Sequence, residues 1–332
     1  MHKEDKMIIT RTPTRIPIAG GGTDLPSYYS KHGSFFISLG INKYIYVTLN
    51  RIFQDHIQIA YSKVETVNNI SDIEHPLIRE ALRLSNLRNN LEITSMAEVP
   101  SRAGLGSSGS FLVGLLNAIH TFKKHFIMTT IRKDLAEEAF HIEAEILKEP
   151  VGKQDQYIAA YGGLTAFTIH TDGQVKIEPL TLSKNFSKEL NDNLLLFYTG
   201  IQRRASEILK TQNEANEKVI ESLHRIKGMA YKIRDNFKSG DIDSYGEVLK
   251  EHWILKKTLS NSITNSILDK WHDAGIKAGA IGGKIVGAGG GGFLLFYCNK
   301  NHDKVREAMK KEGLKELKFN FDFEGTKVMA NG

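Results

Sequence analysis

Pro100-Ser101-Arg102-Ala103-Gly104-Leu105-Gly106-Ser107-Ser108-Gly109-Ser110 separates two stretches of different periodicity. Before it, Leu91, Ile93, Ala97 and Val99 fall on one alternating face, the period of a strand. After it, Leu112, Leu115, Leu116, Ile119 and Phe122 recur at helical spacing. The loop between them is almost all Gly, Ser and Ala, so a backbone can close tightly on a ligand there. The unbonded amides and the dipole of the helix that follows favour an anion, which is how a nucleotide's phosphates are held. A capped turn is the plainer reading, since Ser is a good N-cap. The P-loop is excluded, because no Lys follows the last Gly. Gly104 to Gly109 fits G-x-G-x-x-G, but the next acid, Asp134, is too distant for a dinucleotide fingerprint.

Working outward, the chain has 332 residues, 41% hydrophobic and 25% charged, enough for two sizeable soluble cores. The longest apolar run, 293–298, is far too short to span a membrane. Residues 1–6 are charged and precede only a brief apolar stretch, so no secretory signal is expected. Cys298 is the sole cysteine, which excludes an intrachain disulfide and points to the cytoplasm. The net charge of +6 is scattered rather than striped, which argues against nucleic acid and suits an anionic small substrate. The assembly is left open, a homodimer included.

The pattern predicts strands at 7–12, 35–49, 91–99, 164–169, 175–180, 194–198, 293–298 and 317–323. Helices are predicted at 107–124, 131–147 and 302–312, with a long helical region ending near 278. The polar stretch 181–192 reads as a linker. Strands and helices are unevenly grouped, so the expected class is α+β, in two parts, 1–187 and 188–332.

Three further constellations carry chemistry. In Arg11-Thr-Pro-Thr-Arg-Ile-Pro-Ile-Ala-Gly-Gly-Gly-Thr-Asp24 two prolines bar a helix, and three glycines leave room before an acid that can accept a polyol's hydroxyls. The alternative is a mobile turn with Asp24 as a helix cap. Lys284-Ile-Val-Gly-Ala-Gly-Gly-Gly-Gly-Phe293 holds more glycine than a hairpin needs, as where backbone must approach something closely. Glu143 lies on the inward stripe of its helix with Ala139, Phe140, Ile146 and Leu147, whereas Glu145 faces out. A metal ion could compensate the inward carboxylate, and a buried ion pair would do so equally. Asp155 follows Glu143 across a helix end and a tight turn. Zinc spacings and the G-x-S-x-G of serine hydrolases are absent. The Lys and Glu of residues 207–257 read as solvated helix faces.

Together these features resemble the GHMP kinase superfamily, whose members phosphorylate small alcohols, and the likeness runs the length of the chain. The resemblance implies two α+β lobes, the first of ribosomal-protein-S5-domain-2 type and the second ferredoxin-like, with the site between them. It also implies ATP, Mg²⁺ and a phosphosugar as ligands. Pro100, Arg102, Ala103, Gly104, Leu105, Gly106, Ser107 and Ser108 would bind nucleotide phosphates. Ser108 and Glu143 would hold the metal. Asp155 would take the acceptor's proton, with Arg15 beside it. Gly21, Gly22, Thr23, Asp24, Lys153, Arg203, Gly289 and Gly290 would meet the substrate. Galactokinases carry Gly-Glu-His-Thr-Asp where this chain reads Gly20-Gly-Gly-Thr-Asp24, so the contacts to a hexose are gone. That wording, with Gly152-Lys-Gln-Asp-Gln-Tyr157, is similar to the heptose-phosphate branch, which acts at an anomeric hydroxyl. Lys43, Arg102, Lys153, Arg203 and Arg204 are the candidate cations for a substrate phosphate. Rival readings are a fucose- or hexose-type 1-kinase, a non-catalytic sugar sensor, and a nicotinamide oxidoreductase.

Overall fold

A computed structural model describes residues 7–123, 131–203, 207–209 and 217–332. Two antiparallel strands, β1 (Ile8–Ala19) and β2 (Ser34–Arg51), run side by side through the first lobe. Pro13 and Pro17 lie inside β1 because β1 lacks a strand partner on its other edge beyond Arg11, and a bulge follows each proline. β2 then forks. Its first half pairs with β6 (Leu164–Ile169), and its second half with β5 (Leu91–Ala97). β3 (Ile57–Ala60), β4 (Val64–Val67) and β7 (Val175–Pro179) extend the two arms.

The second lobe is a four-stranded sheet of β8 (Leu194–Tyr198), β9 (Gly282–Ile285), β10 (Phe293–Tyr297) and β11 (Lys315–Glu316). Its order, β11-β8-β10-β9, with helices between β8 and β9 and between β10 and β11, is that of a ferredoxin-like unit. β12 (Lys327–Asn331) returns to the first sheet and pairs with β1, making eight strands there. The class is therefore α+β.

The helices are α1 (Pro26–His32), α2 (Pro76–Ser85), α3 (Ser107–Phe122), α4 (Ile131–Phe140), α5 (Gln154–Tyr161), α6 (Lys184–Asn193), α7 (Glu217–Ser239), α8 (Ser244–Lys257), α9 (Ser266–Lys277) and α10 (His302–Lys311). α3 is apolar nearly all round and packs as a central helix, with Leu112, Leu115, Leu116 and Ile119 fully buried. Alternation along β2 feeds two cores. Phe36 joins α3 and α5 on one face, while Phe35 and Ile37 join Trp253, Tyr245 and Phe296 of the second lobe on the other. The lobes thus share a core, and the cavity between them has firm walls.

Several sequence expectations give way. Residues 181–192 are not a linker: Ser183 caps α6, accepting a hydrogen bond from the Phe186 amide at 3.1 Å. The strand expected at 317–323 is only a bridge from Phe321 to Ile41, beyond the two residues of β11. From Glu217 on, the long helical region is broken into three helices, α7 to α9. The 131–147 helix is α-helical only to Phe140 and continues as a π-helix, His141–Ile146, which carries Glu143.

Candidate active site

The loop before α3 and the 287–292 glycine run pack backbone against backbone. A Cβ on Gly104 would lie 2.6 Å from the Val286 carbonyl oxygen, and one on Gly287 would lie 2.7 Å from the Gly104 oxygen. Arg102, Gly104 and Gly106 alternate with φ of 57°, 78° and 74°, a curl that turns successive amides toward one concavity at the N-terminus of α3. The glycine run 287–292 is therefore a buttress for the phosphate loop. Gly287 and Ala288 reach the cavity, whereas Gly289 and Gly290 pack on Ile263 and Ser262, away from it.

A cavity of about 520 Å³ opens beside this loop. It is lined by Gly104, Gly106, Ser107, Ser108, Glu143, Asp155, Arg15, Asp24, Gly21 and Gly22, with Arg102 at its edge. Ala103 and Leu105 are buried behind the loop, and Pro100 stands at its base outside the cavity lining.

Asp155 sits in the first turn of α5, 32% exposed. Arg15 reaches it from β1, donating from Nε at 2.8 Å and from Nη2 at 2.6 Å, both to Oδ1. Gly109 permits the approach, since a Cβ there would lie 2.9 Å from the Asp155 Cβ. Arg15 also donates to the Gly104 carbonyl, so one guanidinium ties the acid to the phosphate loop.

Glu143 is 3% exposed and accepts from Ser108 Oγ and, at 2.6 Å, from Gln156 Nε2. Burial pushes its carboxyl up to about 7, and the nearby negative charge of Asp155 adds to the rise. Three or more His, Cys, Asp or Glu side chains do not converge as a metal cage anywhere among the described residues. A hydroxyl and one uncompensated buried carboxylate are nevertheless the donor set for Mg²⁺ that takes its remaining ligands from phosphates and water. The residues present fit that ion. One consequence concerns stability. In the folded state Glu143 holds its proton up to about pH 7, against about 4.5 unfolded, so its contribution is full at low pH and lost as pH rises through 7. In chelator, Glu143→Gln should gain about 2 kcal/mol on the wild type between pH 5 and pH 8. Melting curves at the two pH values check this, and a pH-independent difference would refute it.

Asp24 lines the acceptor end. It accepts from the Gly22 amide at 3.0 Å and the Gln154 amide at 3.1 Å, and burial with the Asp155 charge nearby raises its carboxyl. Thr23 is fully buried with its hydroxyl bonded to the Gly20 carbonyl and Ser34 Oγ, so it shapes the turn and does not meet a ligand. Lys153 points elsewhere too. It is 5% exposed, bonded to both Glu137 oxygens and the Gly173 carbonyl. Arg203 is exposed beside Gly290 and Ser262, outside the cavity lining. Lys43 lies in a separate groove with Asn191 and Arg306, and Arg204 is outside the described residues.

Besides Arg15 and Arg102, three basic side chains of the second lobe line the cavity. His252 and Lys256 stand one turn apart on α8, and Lys284 is on β9. Residues 207–257 are therefore not all solvated faces: Lys256 is 8% exposed, and Lys257 beside it faces solvent. The signal was present, since His252, Trp253 and Lys256 continue the apolar stripe of Tyr245, Val248 and Leu249. Burial pushes Lys256 down to about 7 and Lys284 well below its ordinary range.

A glycine-rich loop at a helix N-terminus, an acid–arginine pair and a buried carboxylate line one cavity between the lobes. The chain belongs to the GHMP kinases: the model of their N-terminal domain matches residues 48–163, and that of their C-terminal domain residues 233–315. Among its relatives, it is 29% identical to the D-glycero-alpha-D-manno-heptose 7-phosphate kinase of Campylobacter jejuni, over 97% of this chain and 98% of that one. The crystal structure of a D-glycero-D-manno-heptose 1-phosphate kinase from Bacteroides thetaiotaomicron superposes with a TM-score of 0.80 at 24% identity, covering 97% of this chain and 99% of that one. A putative sugar kinase from Campylobacter jejuni gives 0.78 at 26% identity, covering 98% of each.

Proposed function

We propose that this chain transfers the γ-phosphoryl group of ATP to the anomeric 1-hydroxyl of D-glycero-D-manno-heptose 7-phosphate. The product would be the 1,7-bisphosphate, used in making nucleotide-activated heptose. The observation that carries the reading is the Asp155–Arg15 pair, fixed to the phosphate loop and facing the same cavity as Asp24. The sugar is suggested by the name of the Campylobacter jejuni relative. Gly21 and Gly22, which line the cavity without side chains and leave room for a longer carbon chain, support it.

In the reaction, the sugar's 1-hydroxyl oxygen bonds to Pγ as the bond from Pγ to the β–γ bridging oxygen breaks. Asp155 receives the hydroxyl proton and ADP leaves. Arg15 holds Asp155 in place and offsets charge on the transferred group. The amides of Gly104 to Ser108 cradle the β- and γ-phosphates. Asp24 accepts sugar hydroxyls. Ser108 and Glu143 would hold Mg²⁺, which would supply positive charge against that of the phosphates. The lobes are taken as 1–187 and 188–332, with the last strand returning to the first, and the reaction is placed in the cytoplasm.

ADP release should be measured with heptose 7-phosphate, fucose, galactose, mevalonate and homoserine as acceptors. The expected result is turnover at least tenfold higher, as kcat/KM, on heptose 7-phosphate than on any other. Preference for fucose or galactose would replace the sugar, and no acceptor-dependent ADP release would end the reading.

A further inference from the structure

His252 is 3% exposed, lines the cavity, and neither of its ring nitrogens has a hydrogen-bond partner. A buried imidazole with both nitrogens unpaired is costly and calls for a ligand. Lys256, one turn on, donates to the Ile285 carbonyl at 2.7 Å and the Gly287 carbonyl at 2.5 Å. Lys284, 1% exposed, donates to the Ile18 carbonyl at 2.9 Å. An ammonium has three donors, so both lysines keep at least one beyond these ties. Burial lowers all three below their ordinary range, and like charge adds to it: Lys256 and Lys284 on His252, Arg15 on Lys256, and Lys256 and Arg15 on Lys284. Basic groups so arranged, with no carboxylate bonded to them among the described residues, would regain their charge beside an anion. Their place is also defined. The Lys284 tie to Ile18 sets one side of the cluster against the strand that leads into Gly20 to Gly22 and Asp24, while the Lys256 tie to Gly287 sets the other against the Gly104 loop.

We propose that His252, Lys256 and Lys284 form the seat for the phosphate that the acceptor sugar already carries. The inference rests on the proposed sugar-phosphate kinase reaction and adds which groups select a phosphorylated acceptor. It replaces Lys43, Lys153 and Arg203, which face elsewhere. The chemistry shared with the transferred γ-phosphoryl group is that of a phosphate dianion, and the acceptor comparison separates the two sources.

The test compares kcat/KM for heptose 7-phosphate and for the same heptose without its phosphate, in the wild type, His252→Gln and Lys284→Met. Both variants keep side-chain bulk, and melting curves verify their folding. Each lost charge-assisted contact should lower kcat/KM on the phosphorylated sugar by about 10²-fold, with less than about threefold loss on the other. Equal losses on both acceptors would overturn the seat and assign the cluster to the transferred group or to the fold. A second arm is independent of the reaction: titration calorimetry of inorganic phosphate into the Mg·ADP complex. Binding that His252→Gln weakens at least tenfold supports the seat even if heptose is not the acceptor. Binding that is absent, or unchanged in both variants, overturns it.

Discussion

Asp155→Asn should cut turnover by about 10³-fold while leaving ATP affinity within about threefold of the wild type. The amide keeps an oxygen that can accept from Arg15, so the tie from β1 through Arg15 to the Gly104 carbonyl stays intact. What is lost is the anionic oxygen that would receive the hydroxyl proton. Asp155 also raises the carboxyls of Asp24 and Glu143 by like-charge repulsion, and the neutral amide removes that repulsion. The melting temperature should therefore barely change. Loss of turnover with an unchanged melting curve separates a chemical role from a structural one. Near-normal turnover in Asp155→Asn would remove Asp155 from the reaction.

Gly292→Ala should destabilise the protein by about 3 kcal/mol or more and weaken nucleotide binding at least tenfold. Gly292 has φ of +83°, and a Cβ would lie 2.2 Å from the Ala103 carbonyl oxygen. That oxygen belongs to backbone in the phosphate loop, so it cannot swing aside as a side chain could. The Gly292 amide is held by the Ile201 carbonyl at 2.8 Å, and its own carbonyl accepts from Thr199 at 2.9 Å, so the second loop is pinned as well. Gly313 provides the control. Its φ is +80°, but a Cβ there meets nothing within 4 Å. Gly313→Ala should then show only the dihedral cost, about 1 kcal/mol. Equal losses in the two variants, read from melting curves, would mean that the loops do not interlock.

The glycine interlock also explains why so much was legible in the chain. A run such as Gly289 to Gly292 is kept only where backbone meets backbone, and the sequence says so without saying what it meets. Gly289 and Gly290 were expected to meet the substrate, whereas they pack on Ile263 and Ser262, and Gly292 meets the Ala103 backbone. Glu143 was legible because its neighbours on the helix are apolar. The π-helix that carries it was not, since its extra residue per turn comes from tertiary packing rather than from local pattern. Asp155 and Arg15 are 140 positions apart, and only the resemblance linked them before the structure did. Direction was the hardest thing to read. Thr23 and Lys153 adjoin cavity residues in sequence but turn into the interior. Lys256 and Lys284 were missed because lysine normally faces water, and their burial is decided by the partner lobe. β3, β4 and β12 are four or five residues each, too short for a period of two to stand out.

The most direct measurement is ³¹P NMR of a reaction containing heptose 7-phosphate, ATP and Mg²⁺. A new sugar-phosphate resonance coupled to the anomeric proton, growing in step with ADP while the 7-phosphate signal persists, is the predicted result. ADP appearing with inorganic phosphate alone, or a new phosphate on any other sugar carbon, would contradict it.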